Sequence, residues 1–229
     1  MIKNLYMNKI GRNAKIASLQ ISKISIERRN AVLKQFNRYL KTNSKSILIS
    51  NKKDIINART KKISDSMIDR LKLDNKKIKK IINSIEEIIK FKDPLNITLS
   101  SWKRPNGLII KKVSIPIGVI GVIYESRPNV TSDVSALCFK TGNVVILRGG
   151  SEAFHSNKIL AKLFRKALKS KKCNENCVQF IEKKSRNNVD YLLSRMKDYI
   201  DVIIPRGGKN LVKKVLKKST VSIIGHYEG

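Results

Sequence analysis

An apolar stretch near the middle of the chain decides the fold, and it reads Ile117-Gly118-Val119-Ile120-Gly121-Val122-Ile123-Tyr124. A second apolar run, Val144-Val145-Ile146-Leu147, follows at the distance that one intervening helix requires. We expect that helix to follow Arg127-Pro128-Asn129 and to turn Val134, Leu137 and Cys138 inward. Continuous apolar strands separated by helices are typical of a parallel sheet covered on both faces. The sequence therefore predicts an α/β fold.

Two Arg-Gly-Gly segments mark a candidate ligand site. Arg148-Gly149-Gly150 follows the second strand and opens a helix to about residue 171, and Arg206-Gly207-Gly208 follows a strand at residues 202–204. Glycine lets the backbone approach a ligand, a helix N-terminus offers unpaired N–H groups, and Arg adds a fork of donors. We interpret the pair as a phosphate or dinucleotide site at the carboxyl ends of parallel strands, and the alternative is that the glycines only make tight turns. Neither a Gly-x-Gly-x-x-Gly fingerprint after a strand nor a Walker loop occurs, so a dinucleotide would need a variant Rossmann-like scheme.

The flanking segments have other patterns. Residues 8–92 read as helices with lysine-rich outer faces, with Ser25 and Asp74 as N-caps. An apolar stripe follows Asp74 and consists of Ile78, Ile81, Ile82, Ile85, Ile88 and Ile89. Residues 97–114 change period around Asn106-Gly107, which predicts a β-hairpin. Short strands at residues 178–181 and 221–224 and a helix near residues 189–196 are expected in the α/β part.

The chain is strongly basic, with 49 Lys+Arg against 17 Asp+Glu in 229 residues and a formal charge of +32. Its 41% hydrophobic content excludes a fully disordered chain. Either the charge serves a polyanion partner, or exposed positions have drifted toward lysine. Between residues 113 and 157 three cations and three carboxylates cancel, and aromatic residues are not interleaved with the basic runs. Drift is the preferred interpretation, and a nucleic-acid partner is not expected.

The three cysteines, Cys138, Cys173 and Cys177, form neither a disulfide framework nor a zinc pattern, so no metal site is expected. Cys138 should be buried and inert. The N-terminus lacks the apolar segment of a secretory signal, and the longest apolar run is shorter than the roughly 20 residues that span a bilayer. We expect a cytoplasmic protein without membrane association.

A specific resemblance adds to this interpretation. It is carried by residues 115–131, 137–143, 146–152 and 201–208 and by Met67-Ile68-Asp69-Arg70-Leu71. These segments closely resemble the glutamate-5-semialdehyde dehydrogenase (gamma-glutamyl phosphate reductase) family of the aldehyde dehydrogenase superfamily. The resemblance covers nearly the whole chain but only the N-terminal half of the family. It implies reduction of L-glutamyl 5-phosphate to L-glutamate 5-semialdehyde by NADPH, with release of phosphate, in L-proline biosynthesis.

The resemblance also implies roles for particular residues. Asn129 matches the amide that stabilises the oxyanion, with a turn residue as the alternative. Arg148, with Gly149 and Gly150, falls where a basic residue contacts the adenosine ribose or its 2′-phosphate. Glu152 lies near the ribose position, and Arg148 and Glu152 could instead be surface ion-pair partners. Arg206, Gly207 and Gly208 match the loop beside the cofactor pyrophosphate, where the alternative is again a tight turn.

One departure from the family limits what the resemblance implies. The nucleophilic cysteine of the family lies in a later Thr-Gln-Arg-Pro-Ser-Thr-Cys-Asn-like segment that nothing here matches, so the catalytic domain is expected to be absent. The predicted divisions are a helical part at 1–96 packed on the cofactor domain, a hairpin at 97–114 as oligomerisation arm, and a Rossmann-like NADP-binding domain at 115–229. The alternatives to a cofactor-binding half are an inactive remnant or subunit, or a basic nucleic-acid-binding protein. A homo-oligomer and glutamate 5-kinase are the expected partners.

Overall fold

The computed structural model describes residues 4–225. The expectation about a secretory signal rests partly on residues 1–3, which lie outside the described residues, as does the end of the predicted domain at residue 229. Five helices come first: α1 (Leu5–Ile21), α2 (Ile26–Thr42), α3 (Ser44–Thr60), α4 (Asp65–Leu71) and α5 (Asn75–Lys90). The hairpin strands β1 (Thr98–Lys103) and β2 (Ile109–Val113) follow. The rest is β3 (Val119–Tyr124), α6 (Pro128–Lys140), β4 (Val144–Gly149), α7 (Phe154–Ser170), β5 (Val178–Phe180), α8 (Arg186–Ser194), β6 (Val202–Arg206) and α9 (Lys209–Lys218).

The central sheet has four parallel strands in the order β5-β4-β3-β6. Helices α6 and α7 connect β3 to β4 and β4 to β5, so they cover one face, since parallel crossovers are right-handed. Helix α8 leads back from β5 to β6 and lies on the other face with α1, which contacts β3, β4 and α8. Every residue of β3 and β4 is buried, as strands covered on both faces must be. The predicted α/β fold with helices on both faces of a parallel sheet is confirmed.

The N-terminal helices form a further layer outside α6 and α7. Helices α2 and α3 contact α7, and α5 contacts α6. The rings of Phe36 in α2 and Phe164 in α7 pack at a tilt, with centroids 4.7 Å apart. Most buried apolar residues of the helices and the sheet belong to one core, and Ala58, Leu71 and Ala153 form a second, small cluster. Both predicted caps are confirmed, since Ser25 accepts from the N–H of Arg28 and Asp74 from that of Lys77. The isoleucine stripe of α5 is buried except for Ile89, which is half-buried.

A buried polar brace ties this layer to the sheet. The Arg29 guanidinium, 2% exposed, donates to the carbonyl of Lys140 and lies 2.5 Å from the Asp93 carboxylate. Lys140, also buried, donates from Nζ to Asn30 Oδ1 and to the carbonyl of Ile89. Burial together with the neighbouring Arg29 lowers the pKa of Lys140. Because each charge has partners, the brace orients α2 and α6 without leaving a buried ion uncompensated.

Several expectations about single elements are wrong. The first strand begins at Val119, because Gly118 has a φ of +123° and its N–H donates to Asn143, which leaves Ile117 52% exposed. Leu137 is 42% exposed on the outer side of α6, and Val134 is half-buried, whereas Cys138 is buried as expected. Residues 221–224 form no strand, since only an isolated bridge joins Ile223 to Ile203. Helix α8 lies at Arg186–Ser194, earlier than expected.

The hairpin stands apart from the core. Strands β1 and β2 pair antiparallel around Gly107, whose φ of +86° suits a turn. All of their residues are exposed except the half-buried Ile110. Within residues 4–225, no helix is both long and apolar enough to cross a membrane.

Candidate functional site

Both Arg-Gly-Gly segments lie at the carboxyl edge of the sheet. Tyr124, the last residue of β3, pairs with Gly149 at the end of β4 on one side and with Arg206 at the end of β6 on the other. The two segments therefore flank the turn that follows β3. This is the edge at which open parallel sheets bind ligands. The local sequence repeats, but the surroundings of the two copies differ.

The first copy, Arg148-Gly149-Gly150, lies mostly inside the protein. Arg148 is 8% exposed, donates from Nη1 to the carbonyl of Gly149 and from Nη2 to that of Lys184 at 3.3 Å, and buries its Nε without a partner. Burial lowers its pKa, opposed by the nearby charge of Glu152. In this conformation the guanidinium supports the loop before α8. It could contact a ligand only by giving up those carbonyls.

The glycines of the first copy are needed by the protein itself. A Cβ on Gly149 would lie 2.2 Å from Asn157 Nδ2 and 3.0 Å from the Tyr124 ring, and one on Gly150 would lie 2.0 Å from Glu152 Oε1. That same Glu152 oxygen accepts from the N–H and the hydroxyl of Ser126, both at 2.8 Å. Close packing thus accounts for both glycines without a ligand. Glu152 is occupied in holding the turn after β3.

The second copy lies at the surface of the protein. Arg206, Gly207 and Gly208 are all exposed, and Gly208 is the N-cap of α9. Its N–H donates to Glu125 Oε2 at 3.0 Å, so a carboxylate already occupies the anion position at this helix N-terminus. A Cβ on Gly208 would meet nothing closer than 3.9 Å. A phosphate would need the same donors, with the exposed Arg206 beside them.

Asn129 lies in the first turn of α6, directly after Pro128. Its Nδ2 donates to Asp133 Oδ2 at 3.0 Å, one helical turn later. Burial raises the pKa of Asp133, opposed by hydrogen bonds from Asn129 and Ser84 and by the charge of Arg206. One amide hydrogen of Asn129 is held by Asp133, and among the described residues the other has no hydrogen-bond partner.

Asp133 is the residue that the sequence interpretation missed. It entered only as one of the carboxylates in the electrically neutral central block, although the spacing of four from Asn129 on a predicted helix could have identified it. A cavity of about 390 Å³ opens beside these two residues and is closed on its other side by α5. The cavity therefore joins the sheet edge to the N-terminal helices.

The cysteines offer no nucleophile. All three are buried, and burial raises the pKa of Cys138 and of Cys177 to about 12 and raises that of Cys173 as well. A nucleophilic cysteine needs an accessible thiolate. Cys138 is buried as predicted. Among the described residues, no cluster of three or more His, Cys, Asp or Glu could hold a metal ion.

Comparison with known proteins identifies relatives of this chain. It is 44% identical to a gamma-glutamyl phosphate reductase of Carboxydothermus hydrogenoformans over 94% of this chain and 52% of the relative. It is 42% identical to one of Thermodesulfovibrio yellowstonii over 100% of this chain and 54% of the relative. The chain spans about half the length of these curated relatives, their N-terminal half. No protein-family model matches it.

Solved structures agree. The crystal structure of gamma-glutamyl phosphate reductase from Thermotoga maritima superposes with a TM-score of 0.92 at 36% identity, over 95% of this chain and 52% of that one. A propionaldehyde dehydrogenase from Clostridium phytofermentans superposes with a TM-score of 0.69 at 18% identity, over 96% of this chain and 46% of that one. The second likeness shows a shared fold only. The predicted resemblance to the N-terminal half of gamma-glutamyl phosphate reductases is confirmed.

Proposed function

We propose, from its similarity to the N-terminal half of gamma-glutamyl phosphate reductases, that this chain is the cofactor-binding half of such an enzyme. The reaction converts L-glutamyl 5-phosphate, NADPH and a proton to L-glutamate 5-semialdehyde, NADP⁺ and phosphate. When bound, the cofactor supplies the hydride that replaces the phosphate at the acyl carbon. The proposed reaction is a step of L-proline biosynthesis, and we propose that the protein works in the cytoplasm. We do not propose that this chain alone reduces the acyl phosphate.

The open N-terminus of α9 is the observation that carries the proposal. It combines an N–H group that already donates to a carboxylate, space in front of Gly208, and the exposed guanidinium of Arg206. These are the donors that a pyrophosphate requires. The residues at the second Arg-Gly-Gly segment therefore fit a dinucleotide. Gly207 lies between them, where a Cβ would meet Glu125 at 2.5 Å.

The first segment has a supporting part in this proposal. Glu152 holds the turn after β3 and Arg148 holds the loop before α8, and the adenosine would bind beside these two segments. For Arg148 to contact the ribose or a 2′-phosphate, its guanidinium must release the carbonyl of Lys184. That exchange favours a ligand with full charge at this position, because the buried guanidinium gains a better partner.

The chain's own residues also prepare the acyl end of the reaction. Asn129 would donate its free amide hydrogen to the oxyanion, and Asp133 holds the amide in place from the next turn. The covalent step requires a thiolate, and none of Cys138, Cys173 and Cys177 is accessible. The nucleophile must therefore come from outside residues 4–225. Turnover would need a second polypeptide segment that provides it.

Titration of the purified chain with NADPH, followed by nicotinamide fluorescence, tests this proposal. We expect saturable binding, weakened about two- to fivefold in Arg206→Ala, as for a partly exposed ion pair. Arg12→Ala removes an equally exposed arginine from α1 and should leave binding unchanged. Absence of binding at millimolar NADPH, or equal losses in both variants, would contradict a dinucleotide site at this edge.

The hairpin supports a second part of the proposal, an oligomerisation arm. Its exposed apolar side chains include Leu99 at 60%, Trp102 at 46% and Ile109 at 60% exposure, and it lies outside the core. The strand register places Trp102 and Ile109 on opposite faces of the hairpin, and exposed apolar side chains on both faces favour a contact with another copy. Sedimentation of the wild type and of Trp102→Ser together with Ile109→Ser tests this, with a smaller assembly expected for the variant. Glutamate 5-kinase, which would make the acyl phosphate, remains a proposed partner.

A further inference from the structure

The outer face of α2 carries two adjoining cavities. Lys34 and Arg38 line both of them, so the two cavities form one depression, which we call the α2 groove. Its larger part, about 510 Å³, lies between α2 and α5 and is also lined by Asn37 and Ile89. Its smaller part, about 220 Å³, extends to Lys171 at the end of α7. Cavities of this size suit one small molecule.

Three cations of the α2 groove have no partner. Within residues 4–225, no hydrogen bond, ion pair or ring contact engages the side chains of Lys34, Arg38 and Lys171. All three line the smaller part of the groove, and Lys34 and Arg38 are one helical turn apart on the same face of α2. Like charges gathered around one cavity repel each other unless an anion enters. The smaller part therefore suits a strongly anionic group, such as a phosphate chain.

The larger part of the α2 groove is less charged. Its two further lysines each pair with a glutamate of α5, Lys41 with Glu86 at 3.8 Å and Lys90 with Glu87 at 2.7 Å. Ile89 adds an apolar wall. A flat ring could also stack on the guanidinium that this part shares with the smaller one. The larger part therefore suits an uncharged ring that is joined to the anionic group.

A buried amide gives the larger part a specific acceptor. Asn37 is 5% exposed and donates from Nδ2 to the carbonyl of Ile82 at 3.1 Å. This bond fixes the orientation of the amide, and Oδ1 is left without a hydrogen-bond partner among residues 4–225. Buried polar atoms of folded proteins are nearly always paired. The unpaired oxygen favours a ligand that presents an N–H donor and disfavours one that presents a carbonyl oxygen at the same place.

We propose that the α2 groove binds an adenine nucleotide, with the base in the larger part and the phosphates on Lys34, Arg38 and Lys171. The exocyclic amine of adenine is the donor that Asn37 Oδ1 lacks, and asparagine is a common partner of this amine. A nucleic-acid strand fits less well, because no aromatic side chain among the described residues that line the groove could stack successive bases.

The inference goes beyond the proposed function. The α2 groove shares no lining residue with the cavity beside Asn129, and it contains neither Arg-Gly-Gly segment. It is therefore a second nucleotide site, separate from the one proposed for the dinucleotide.

Calorimetric titration of chain 1–229 with ATP, ITP and tripolyphosphate tests this assignment. ITP carries a carbonyl oxygen where ATP carries the amine, and tripolyphosphate has no base. We expect ATP to bind about fivefold more tightly than ITP, the size of one hydrogen bond between neutral groups, and more tightly than tripolyphosphate. Equal binding of ATP and either other compound, or no binding of ATP at millimolar concentration, would overturn the assignment.

The amide itself is tested by Asn37→Ala, which should lose the preference for ATP over ITP while still binding both nucleotides. A preference that survives in this variant would be evidence against recognition of the base by Asn37. The comparison of the three compounds on the wild type keeps the test valid even where Asn37→Ala does not fold.

A matched pair of arginines separates the α2 groove from the general charge of the chain. Arg38 lines the groove, whereas Arg12 is exposed on α1, which lies on the other face of the sheet. Arg38→Ala should weaken ATP binding about two- to fivefold, and Arg12→Ala should leave it unchanged. Equal losses in the two variants would mean that ATP follows the net charge, and the assignment would be wrong.

NADPH titration of the same samples separates the two proposed nucleotide sites, because NADPH also carries adenine. ATP should respond to Arg38→Ala and not to Arg206→Ala, and NADPH should show the reverse. Loss of ATP binding only in Arg206→Ala would place ATP at the end of α9, so the α2 groove would be wrong while the cofactor-binding role stands. If ATP binds with the expected selectivity and NADPH does not bind, the α2 groove stands and the cofactor-binding role is wrong.

Discussion

The two Arg-Gly-Gly segments have the same tripeptide at the same edge of the same sheet, yet their environments are opposite. Arg148 is 8% exposed and bound to carbonyl groups, whereas Arg206 is exposed. The strand position explains the difference, because β4 has neighbours on both sides and β6 is paired along its length only with β3. A motif in the middle of a sheet is used for packing, and the same motif near the edge remains available to a ligand.

The largest difference in stability is expected between alanine variants of Gly149 and Gly208. Gly149→Ala forces a Cβ against buried Asn157 and Tyr124 and should destabilise the fold by about 3 kcal/mol, the upper part of the overpacking range. Gly208→Ala meets open space at a φ of −66°. Its loss of N-cap preference is offset by reduced unfolded-state entropy, so a change within about 0.5 kcal/mol is expected. Urea unfolding of the two variants measures both changes in unfolding free energy. Similar losses would contradict the view that the first segment is closely packed and the second is open.

The second largest difference in stability is expected between variants of Arg148 and Arg206. Arg148→Ala leaves buried carbonyl groups without their charged donor, which costs about 2 kcal/mol. Arg206→Ala removes an exposed side chain and should change the unfolding free energy by less than about 0.5 kcal/mol. The same urea titrations report both values. A stability loss in Arg206→Ala as large as that in Arg148→Ala would show that the second copy is also structural.

Glu152 and Glu125, the carboxylates beside the first and second segments, should differ less in their contribution to the unfolding free energy. Glu152→Ala leaves the N–H of Ser126 unpaired in a residue that is 5% exposed and has a φ of +31°, so we expect a loss of about 1–2 kcal/mol. Glu125→Ala frees the exposed N–H of Gly208, which water can satisfy, and stability should hardly change. NADPH should bind Glu125→Ala more tightly than the wild type, because the competing carboxylate is gone. Weaker NADPH binding in this variant would be evidence against the open end of α9 as its site.

The smallest expected effect is on the pKa of Asp133, which the positive charge of Arg206 lowers. Burial raises the pKa of this carboxyl in the folded state, so its ionisation opposes folding at neutral pH, and this penalty disappears as the pH falls through the raised value toward the unfolded one. Arg206→Ala should raise the Asp133 pKa further, because the charge of Arg206 lowers this pKa in the wild type, and Arg148→Ala should not. Carboxyl chemical shifts followed by NMR measure the shift. Stability relative to Asp133→Asn should rise as the pH is lowered.

Much of the fold could be predicted from local patterns. Apolar strands, the isoleucine stripe of α5 and the caps at Ser25 and Asp74 depend on residues close in sequence, and the structure confirms them. The start of β3 could not be predicted in this way. It depends on Asn143 and Asp201, distant residues that accept from the N–H groups of Gly118 and Val119. Residues 221–224 have a strand pattern but only two hydrogen bonds to Ile203.

The candidate site was only partly predictable. Asn129 and both Arg-Gly-Gly segments could be chosen from residue type and position after a strand. The spacing of four from Asn129 could have identified Asp133 as well, but its burial and its hydrogen bond to Asn129 were visible only in the structure. In the sequence, the cations that line the cavity beside Asn129 looked like part of the general lysine excess. Only the structure shows that Arg70 of α4, Lys80 of α5 and Arg127 before α6 line the same cavity.

The class of fold, the order of most elements and the family resemblance could be predicted from local patterns, because hydrophobic periodicity and turn chemistry act over a few residues. Which Arg-Gly-Gly segment faces solvent, and which lysines share a cavity, could be seen only in the folded chain. Both depend on strand order and helix packing. Exposure and electrostatic environment are set by neighbours distant in sequence, so identical tripeptides can become a structural brace in one place and an exposed helix N-terminus in the other.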